Sequence, residues 1–129
     1  LYFLDVGLMA WLVGIRDTTS VATHAARGAL FETFVVSELI KQRFNTGYPV
    51  DLYFWRDNVG HEVDILYEMP LGIQAIEIKS GSTFATDWPT AIQKWCGLIG
   101  YKALRPIIVY GGEGNYERGS CQVLGWREL

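Results

Sequence analysis

Between Asp51 and Lys79 the chain carries three extended runs, Asp51–Arg56, His61–Glu68 and Ile73–Lys79, joined by Asp57-Asn58-Val59-Gly60 and Met69-Pro70-Leu71-Gly72. Spacers that short cannot hold a crossover helix, and their Gly and Pro residues form turns. The runs must therefore fold back on one another as an antiparallel meander.

Helical patterns flank the meander. From Ala29 to Phe44, Leu30, Phe31, Phe34, Val35, Leu39 and Ile40 recur at helical spacing, and Lys41 and Arg43 fall in the last turn, where cations suit the helix dipole. Asn45-Thr46-Gly47-Tyr48-Pro49 ends that helix. Asp87–Ile99 fits a second one, opened by Thr86 or Asp87, with Pro89 in its first turn and Trp88, Ile92, Trp95 and Ile99 on one face. Pro106-Ile107-Ile108-Val109-Tyr110 is short, branched and apolar, as the buried return strand of a βα unit should be. Ser120–Trp126 adds a last edge strand. Ahead of all this, residues 1–15 form an apolar lead-in with a short helix capped by Asp5 and ended near Gly14, and Arg16–His24 form a loop. The order α-β-β-β-α-β predicts an α/β fold with a mixed four-stranded sheet flanked by helices. One domain is expected over residues 1–129, with residues 1–27 as lead-in helix and loop.

Half of the 129 residues are apolar and 14% are aromatic, which supports a hydrophobic core and excludes disorder. The net charge of −3 gives no chain-wide pull towards phosphate backbones, so a nucleic-acid contact needs a local basic patch, a bridging metal or a separate domain. Arg27, Arg56, Lys79, Lys94, Lys102 and Arg105 are the residues available for such a patch, although scattered solvated charges are the ordinary reading of most of them. Cys96 and Cys121 have no C-x-x-C spacing and fit reduced, buried thiols. With no apolar run near the ~20 residues of a membrane helix and no signal-peptide pattern, a cytoplasmic protein without membrane contact is expected. The opening Leu1-Tyr2-Phe3-Leu4, without methionine, is expected of a domain excised from a longer polypeptide.

Four charged residues stand out. Glu32 has Ala29, Val35, Val36 and Leu39 as helical neighbours, so its side chain points along an apolar stripe and needs a partner. Glu38, flanked by Lys41 and Gln42, needs only solvent. Strand alternation puts Glu62, Asp64, Leu66 and Glu68 on one face and His61, Val63, Ile65 and Tyr67 on the other. Glu77 and Lys79 share a face with Ala75 and Ile73; at i and i+2 they lie about 6.6 Å apart. An antiparallel partner carrying Asp64 brings a second carboxylate to the same spot. Hard cations such as Mg²⁺ are held by one or two carboxylates plus waters and substrate phosphate, which this inventory matches. An isolated Glu-X-Lys in a strand is usually a solvated pair; the order of the residues and the setting of Glu32 are what give the set weight.

A helix with Glu32, a strand with Asp64, a strand with Glu77-Ile78-Lys79, then a helix and a strand resemble the PD-(D/E)XK nuclease superfamily, closest to its archaeal Holliday-junction-resolvase-like branch. Val63 stands where the superfamily motif has its proline. Leu1-Tyr2-Phe3-Leu4-Asp5-Val6-Gly7-Leu8, Gly28-Ala29-Leu30-Phe31-Glu32, Tyr53-Phe54-Trp55-Arg56-Asp57, Glu62-Val63-Asp64 and Glu77-Ile78-Lys79-Ser80-Gly81 further resemble the C-terminal domain of uncharacterised bacterial and archaeal AAA-type ATPases. In those proteins a P-loop ATPase and a winged-helix region precede the domain.

The resemblance implies a restriction-endonuclease-like core and a metal-dependent DNA endonuclease. It implies Glu32, Asp64 and Glu77 as ligands of Mg²⁺ or Mn²⁺, Lys79 as the catalytic lysine, and Gln93 facing the site from the second helix. The implied partners are DNA and an ATPase domain in the same polypeptide, and a homo-oligomer is compatible with both. ATP is expected only on that ATPase part: Gly111-Gly112-Glu113-Gly114 follows a strand, yet no G-x-x-x-x-G-K-[ST] occurs in this chain. The alternative from another class is a catalytically inactive nuclease-fold module that binds DNA or a partner, or regulates the ATPase. His24 and His61, without metal spacing, are expected to be surface or hydrogen-bonded histidines, and the five tryptophans core or interface residues.

Overall fold

The computed structural model of the chain describes residues 2–129. It contains two compact units, Leu1–Pro49 and Val50–Leu129.

The first unit is helical. Asp5 caps α1 (Val6–Leu12), its Oδ1 accepting the Leu8 N–H at 2.9 Å. Within the segment expected to be a loop, Thr18–Val21 forms a helical turn, α2. Its cap is Asp17, whose carboxyl is lowered to about 2 by hydrogen bonds from the Ser20 and Thr19 hydroxyls and the Ser20 N–H. The long helix α3 spans Arg27–Thr46 and stops at Gly47, which takes a left-handed φ of 74° and turns its N–H back to the carbonyls of Arg43 and Phe44. Its buried positions are Leu30, Thr33, Val35, Val36, Ser37 and Leu39, whereas Phe31, Phe34 and Ile40 are only half-buried. The buried stripe is thus rotated towards smaller side chains than apolar spacing suggests. Ser37 tolerates burial because its hydroxyl donates to the Phe34 carbonyl at 2.8 Å. Trp11 is 59% exposed, with the Arg16 guanidinium 4.9 Å over its ring, so it is no core residue in this unit.

The second unit is built on one mixed sheet. Its strands are β1 (Tyr53–Arg56), β2 (Glu62–Met69), β3 (Gly72–Lys79), β4 (Ile107–Tyr110), β5 (Tyr116–Arg118) and β6 (Cys121–Gly125), and α4 (Thr90–Ile99) lies between β3 and β4 in the chain. The spatial order is β1-β2-β3-β4-β6-β5. As the short spacers require, β1, β2 and β3 are antiparallel neighbours. After α4 the chain returns as β4, parallel to β3, and β6 pairs parallel with β4. The sheet therefore has six strands where four were expected. The expected edge strand, β6, is internal; the edge is β5, whose three residues fold back through Gly119-Ser120. So short a run, with Glu117 and Arg118 in it, carries no apolar alternation.

Two further expectations shift. Pro89 is the N-cap of α4 and the helix starts at Thr90, because residues 85–90 form turns, with the Trp88 N–H on the Ala85 carbonyl and the Thr90 N–H on the Asp87 carbonyl. On β2 the register against β1 slips between Tyr53↔Leu66 and Trp55↔Val63, a β-bulge that breaks the alternation. Val63 consequently joins Ala75, Ile92, Trp95, Ile108, Tyr110, Cys121 and Val123 in the core, with Leu66 packed beside them, although strict alternation puts Val63 and Leu66 on opposite faces. Ile65, Ile76, Ile78 and Val109 are buried too, so the central strands are buried on both faces. Among the described residues no helix is long and apolar enough to cross a membrane.

Candidate functional site

The carboxyl end of β3 carries Glu77 and Lys79 one pleat apart. Glu77 is only 3% exposed, and its Oε1 lies 2.6 Å from the half-buried Lys79 Nζ. On the adjoining strand the paired register ends at Ile65↔Ile76, where the bulge begins. Just beyond it the Asp64 Oδ2 accepts the Ile78 N–H at 2.7 Å, so a side chain takes the donor that a regular ladder gives to a backbone carbonyl. Asp64 is thereby pinned beside the Glu77-Ile78-Lys79 segment.

The electrostatics agree with this geometry. Burial pulls the Lys79 pKa down, but the hydrogen bond and charge of Glu77, followed by the charges of Asp64 and Glu62, outweigh it and hold the ammonium above its ordinary 10.5. At neutral pH Lys79 is a fixed cation.

A cleft of about 360 Å³ opens over this point, lined by His61, Glu62, Glu77, Lys79, Trp88 and Thr90 among others. His61 is a hydrogen-bonded histidine, as expected: its Nδ1 lies 2.9 Å from the Asp57 Oδ2 and 3.0 Å from the Lys94 Nζ. Asp57 organises the whole β1–β2 turn, accepting the Val59 and His61 N–H groups on Oδ1 and the Lys94 ammonium on Oδ2. Burial pushes its pKa up, yet the Lys94, His61 and Val59 donors prevail and hold it well below the usual carboxylate range. Asp57 followed three residues later by Gly60 is the sequence cue to this turn.

Glu32 belongs to the first unit, on α3, where it is half-buried and its Oε1 accepts the Tyr2 hydroxyl at 2.5 Å. Glu38 pairs with Lys41 at 2.7 Å. Gln93 is corrected: its amide donates to the Ser120 hydroxyl at 3.1 Å and lines a different cleft of about 420 Å³ with Cys96, Arg105 and Pro106. From the first turn of α4 it reaches towards the β5–β6 turn. Several basic residues singled out for a DNA face are held by carboxylates: Arg56 by Glu62 at 3.9 Å, Lys94 by Asp57 at 2.8 Å and Arg105 by Glu117 at 2.6 Å. Arg118 lies on β5, a strand with no apolar pattern to mark it in the sequence; its guanidinium lies over the Tyr116 ring at 5.4 Å. Both cysteines are free thiols, and burial pushes their pKa values up.

Asp64 and Glu77 offer hard oxygen donors beside a cation, the set Mg²⁺ accepts when waters and substrate phosphate complete its shell. Among the described residues no three His, Cys, Asp or Glu side chains stand close enough together to share an ion. The fit is to a two-carboxylate site.

Residues 27–129, which include all four of these charged positions, match the model of a family described as a domain of unknown function, DUF4143. The chain belongs to the DUF4143 family. Two curated proteins, uncharacterized protein Rv2008c of Mycobacterium tuberculosis and uncharacterized protein Mb2031c of Mycobacterium bovis, are each 30% identical to it over 117 residues. That match covers 90% of this chain but 24% of theirs, so the chain spans about a quarter of the length of these relatives. No solved structure matches the chain.

Proposed function

We propose that this DUF4143 domain is a metal-dependent phosphodiesterase acting on DNA, built on a restriction-endonuclease-like core and attached to an AAA-type ATPase. The observation that carries the reading is the meeting of Asp64 with the Glu77-Ile78-Lys79 segment on adjoining strands, where Glu77 and Lys79 line one cleft. The run α3-β1-β2-β3-α4-β4 supports it, since this is the element order that the resemblance implies, with β5 and β6 added.

Asp64 and Glu77 are the ligands in this reading. A bound Mg²⁺ or Mn²⁺ supplies a water of lowered pKa and draws charge from a phosphate oxygen. Lys79 stabilises the negative charge that builds on the phosphoryl oxygens, and Glu77 aims its ammonium. The Ile78 N–H fixes the Asp64 carboxylate against rotation. Trp88 walls the cleft on the α4 side.

A second reading, a non-catalytic nuclease-fold module, is favoured by the absence of a three-ligand cluster among the described residues and by the pairing of Arg56, Lys94 and Arg105 with acids. One experiment separates the two. The full chain is incubated with Mn²⁺ and with junction, flapped or single-stranded DNA, alongside Asp64→Asn and Lys79→Ala. The phosphodiesterase reading expects cleavage that falls by about 10²- to 10³-fold in each variant. No cleavage of any substrate, with no carboxylate-dependent Mn²⁺ binding by calorimetry, leaves the module reading.

A further inference from the structure

Beyond Lys79 the chain runs Ser80-Gly81-Ser82-Thr83-Phe84-Ala85-Thr86 before it turns into α4. This loop is seated on the turn that follows β4. The Gly111 N–H bonds to the Lys79 and Gly81 carbonyls at 2.9 and 3.0 Å. A Cβ at Gly111 would stand 2.5 Å from the Ser80 carbonyl oxygen, and one at Gly112 2.5 Å from that of Ser82. Only glycine lets the two backbones approach so closely.

On the far side of the loop lies another cleft, of about 550 Å³, lined by Ser82, Thr83, Phe84, Thr86, Tyr116 and Arg118. The Phe84 ring meets Trp88 edge-on at a centroid distance of 5.5 Å, and Trp88 lines the cleft of Glu77 and Lys79. The Phe84–Trp88 pair is thus the partition between two neighbouring clefts.

The chemistry of this second cleft differs from that of its neighbour. Its lining has three aliphatic hydroxyls, the phenol of Tyr116, the Phe84 ring and one guanidinium, and no carboxylate. Arg56, Lys79, Lys94, Arg105 and Arg127 each lie within 4.0 Å of an acid. Arg118 stands in no ion pair among the described residues; it rests on Tyr116, whose ring packs against Phe84 at 6.4 Å and Tyr110 at 5.8 Å. A guanidinium held by a ring face keeps its N–H edge for an anion, and flanking hydroxyls are further phosphate donors.

We propose that this cleft is a second phosphate subsite, which takes the backbone phosphate of a nucleotide flanking the one over Lys79. The substrate is then a polynucleotide strand laid across the Phe84–Trp88 partition, rather than a mononucleotide. The inference rests on the phosphodiesterase reading for its orientation, but the contact itself is one of binding and can be measured without cleavage.

The test is fluorescence anisotropy of a short fluorescein-labelled single-stranded oligonucleotide with the full chain in metal-free buffer, titrated between about 50 and 200 mM salt. Arg118 is exposed, so Arg118→Ala leaves the core intact, and Arg118→Lys serves as a second variant. The expected result is a several-fold loss of affinity in Arg118→Ala, with the slope of log K against log salt smaller by about 0.7, the value for one lost phosphate contact on a single strand. Arg118→Lys should keep the slope. No binding by the wild type, or equal affinity and slope in Arg118→Ala, overturns the subsite. An Arg118-dependent slope in a protein that never cleaves with Mn²⁺ supports the subsite and overturns the phosphodiesterase reading alone.

Discussion

Lys79 and Asp57 are mirror images at the scale of single residues. The carboxylates around Lys79 raise its pKa above 10.5, so near neutrality it acts as a cation and not as a base. In the metal-free protein the Lys79 ammonium should therefore stay charged through about pH 9 when its titration is followed by NMR. Loss of its proton below that pH in the metal-free protein would count against the assignment. The linkage sign follows. A folded-state pKa above the unfolded one gives stability that is complete below 10.5 and lost as pH rises through the higher folded value. Urea midpoints of wild type and Lys79→Met should then converge only on the alkaline side. For Asp57, whose pKa is depressed, the contribution is complete above 3.8 and lost as pH falls through the lower folded value, so Asp57→Asn should converge with wild type only in acid.

Among elements, the seam between the loop after β3 and the turn after β4 is the joint on which both clefts depend. Gly112→Ala forces a side chain onto the Ser82 carbonyl and should cost about 1–3 kcal/mol in urea denaturation. Gly28→Ala in α3 is the control, since nothing lies within 4 Å of the added Cβ; it should be neutral or stabilise by up to about 1 kcal/mol. The same contrast between local and non-local causes explains what could be read from the chain. The meander was legible because four-residue spacers allow little else, and α3 because its apolar period and Gly47 stop are local. Glu77 and Lys79 were legible as neighbours because i and i+2 share a strand face. The bulge at Val63–Leu66 was not, since register is set by the partner strand, and with it went the bond from the Ile78 N–H to Asp64. The strand β5 is held by pairing with β6 rather than by any pattern of its own, which hid Arg118.

For the whole molecule, a net charge of −3 means that the DNA affinity proposed above would have to come from a few placed cations. Arg105 and Arg118 test this, for the first is held at 2.6 Å by Glu117 and the second lies on a ring. In the salt titration Arg105→Ala should leave the slope unchanged, although it removes the same formal charge as Arg118→Ala. An equal loss from both would mean that bulk charge, and not placement, governs binding. The place of Asp64 in the sheet bears on how other DUF4143 domains are to be interpreted. One oxygen of its carboxylate serves the Ile78 N–H, so the side chain helps to hold two strands in register whether or not any chemistry follows. A domain that had stopped cutting would still have a mechanical reason to retain the aspartate, and, through the charge of buried Glu77, an electrostatic reason to retain the lysine. On the proposed reading, neither residue alone separates a working nuclease from a scaffold among relatives.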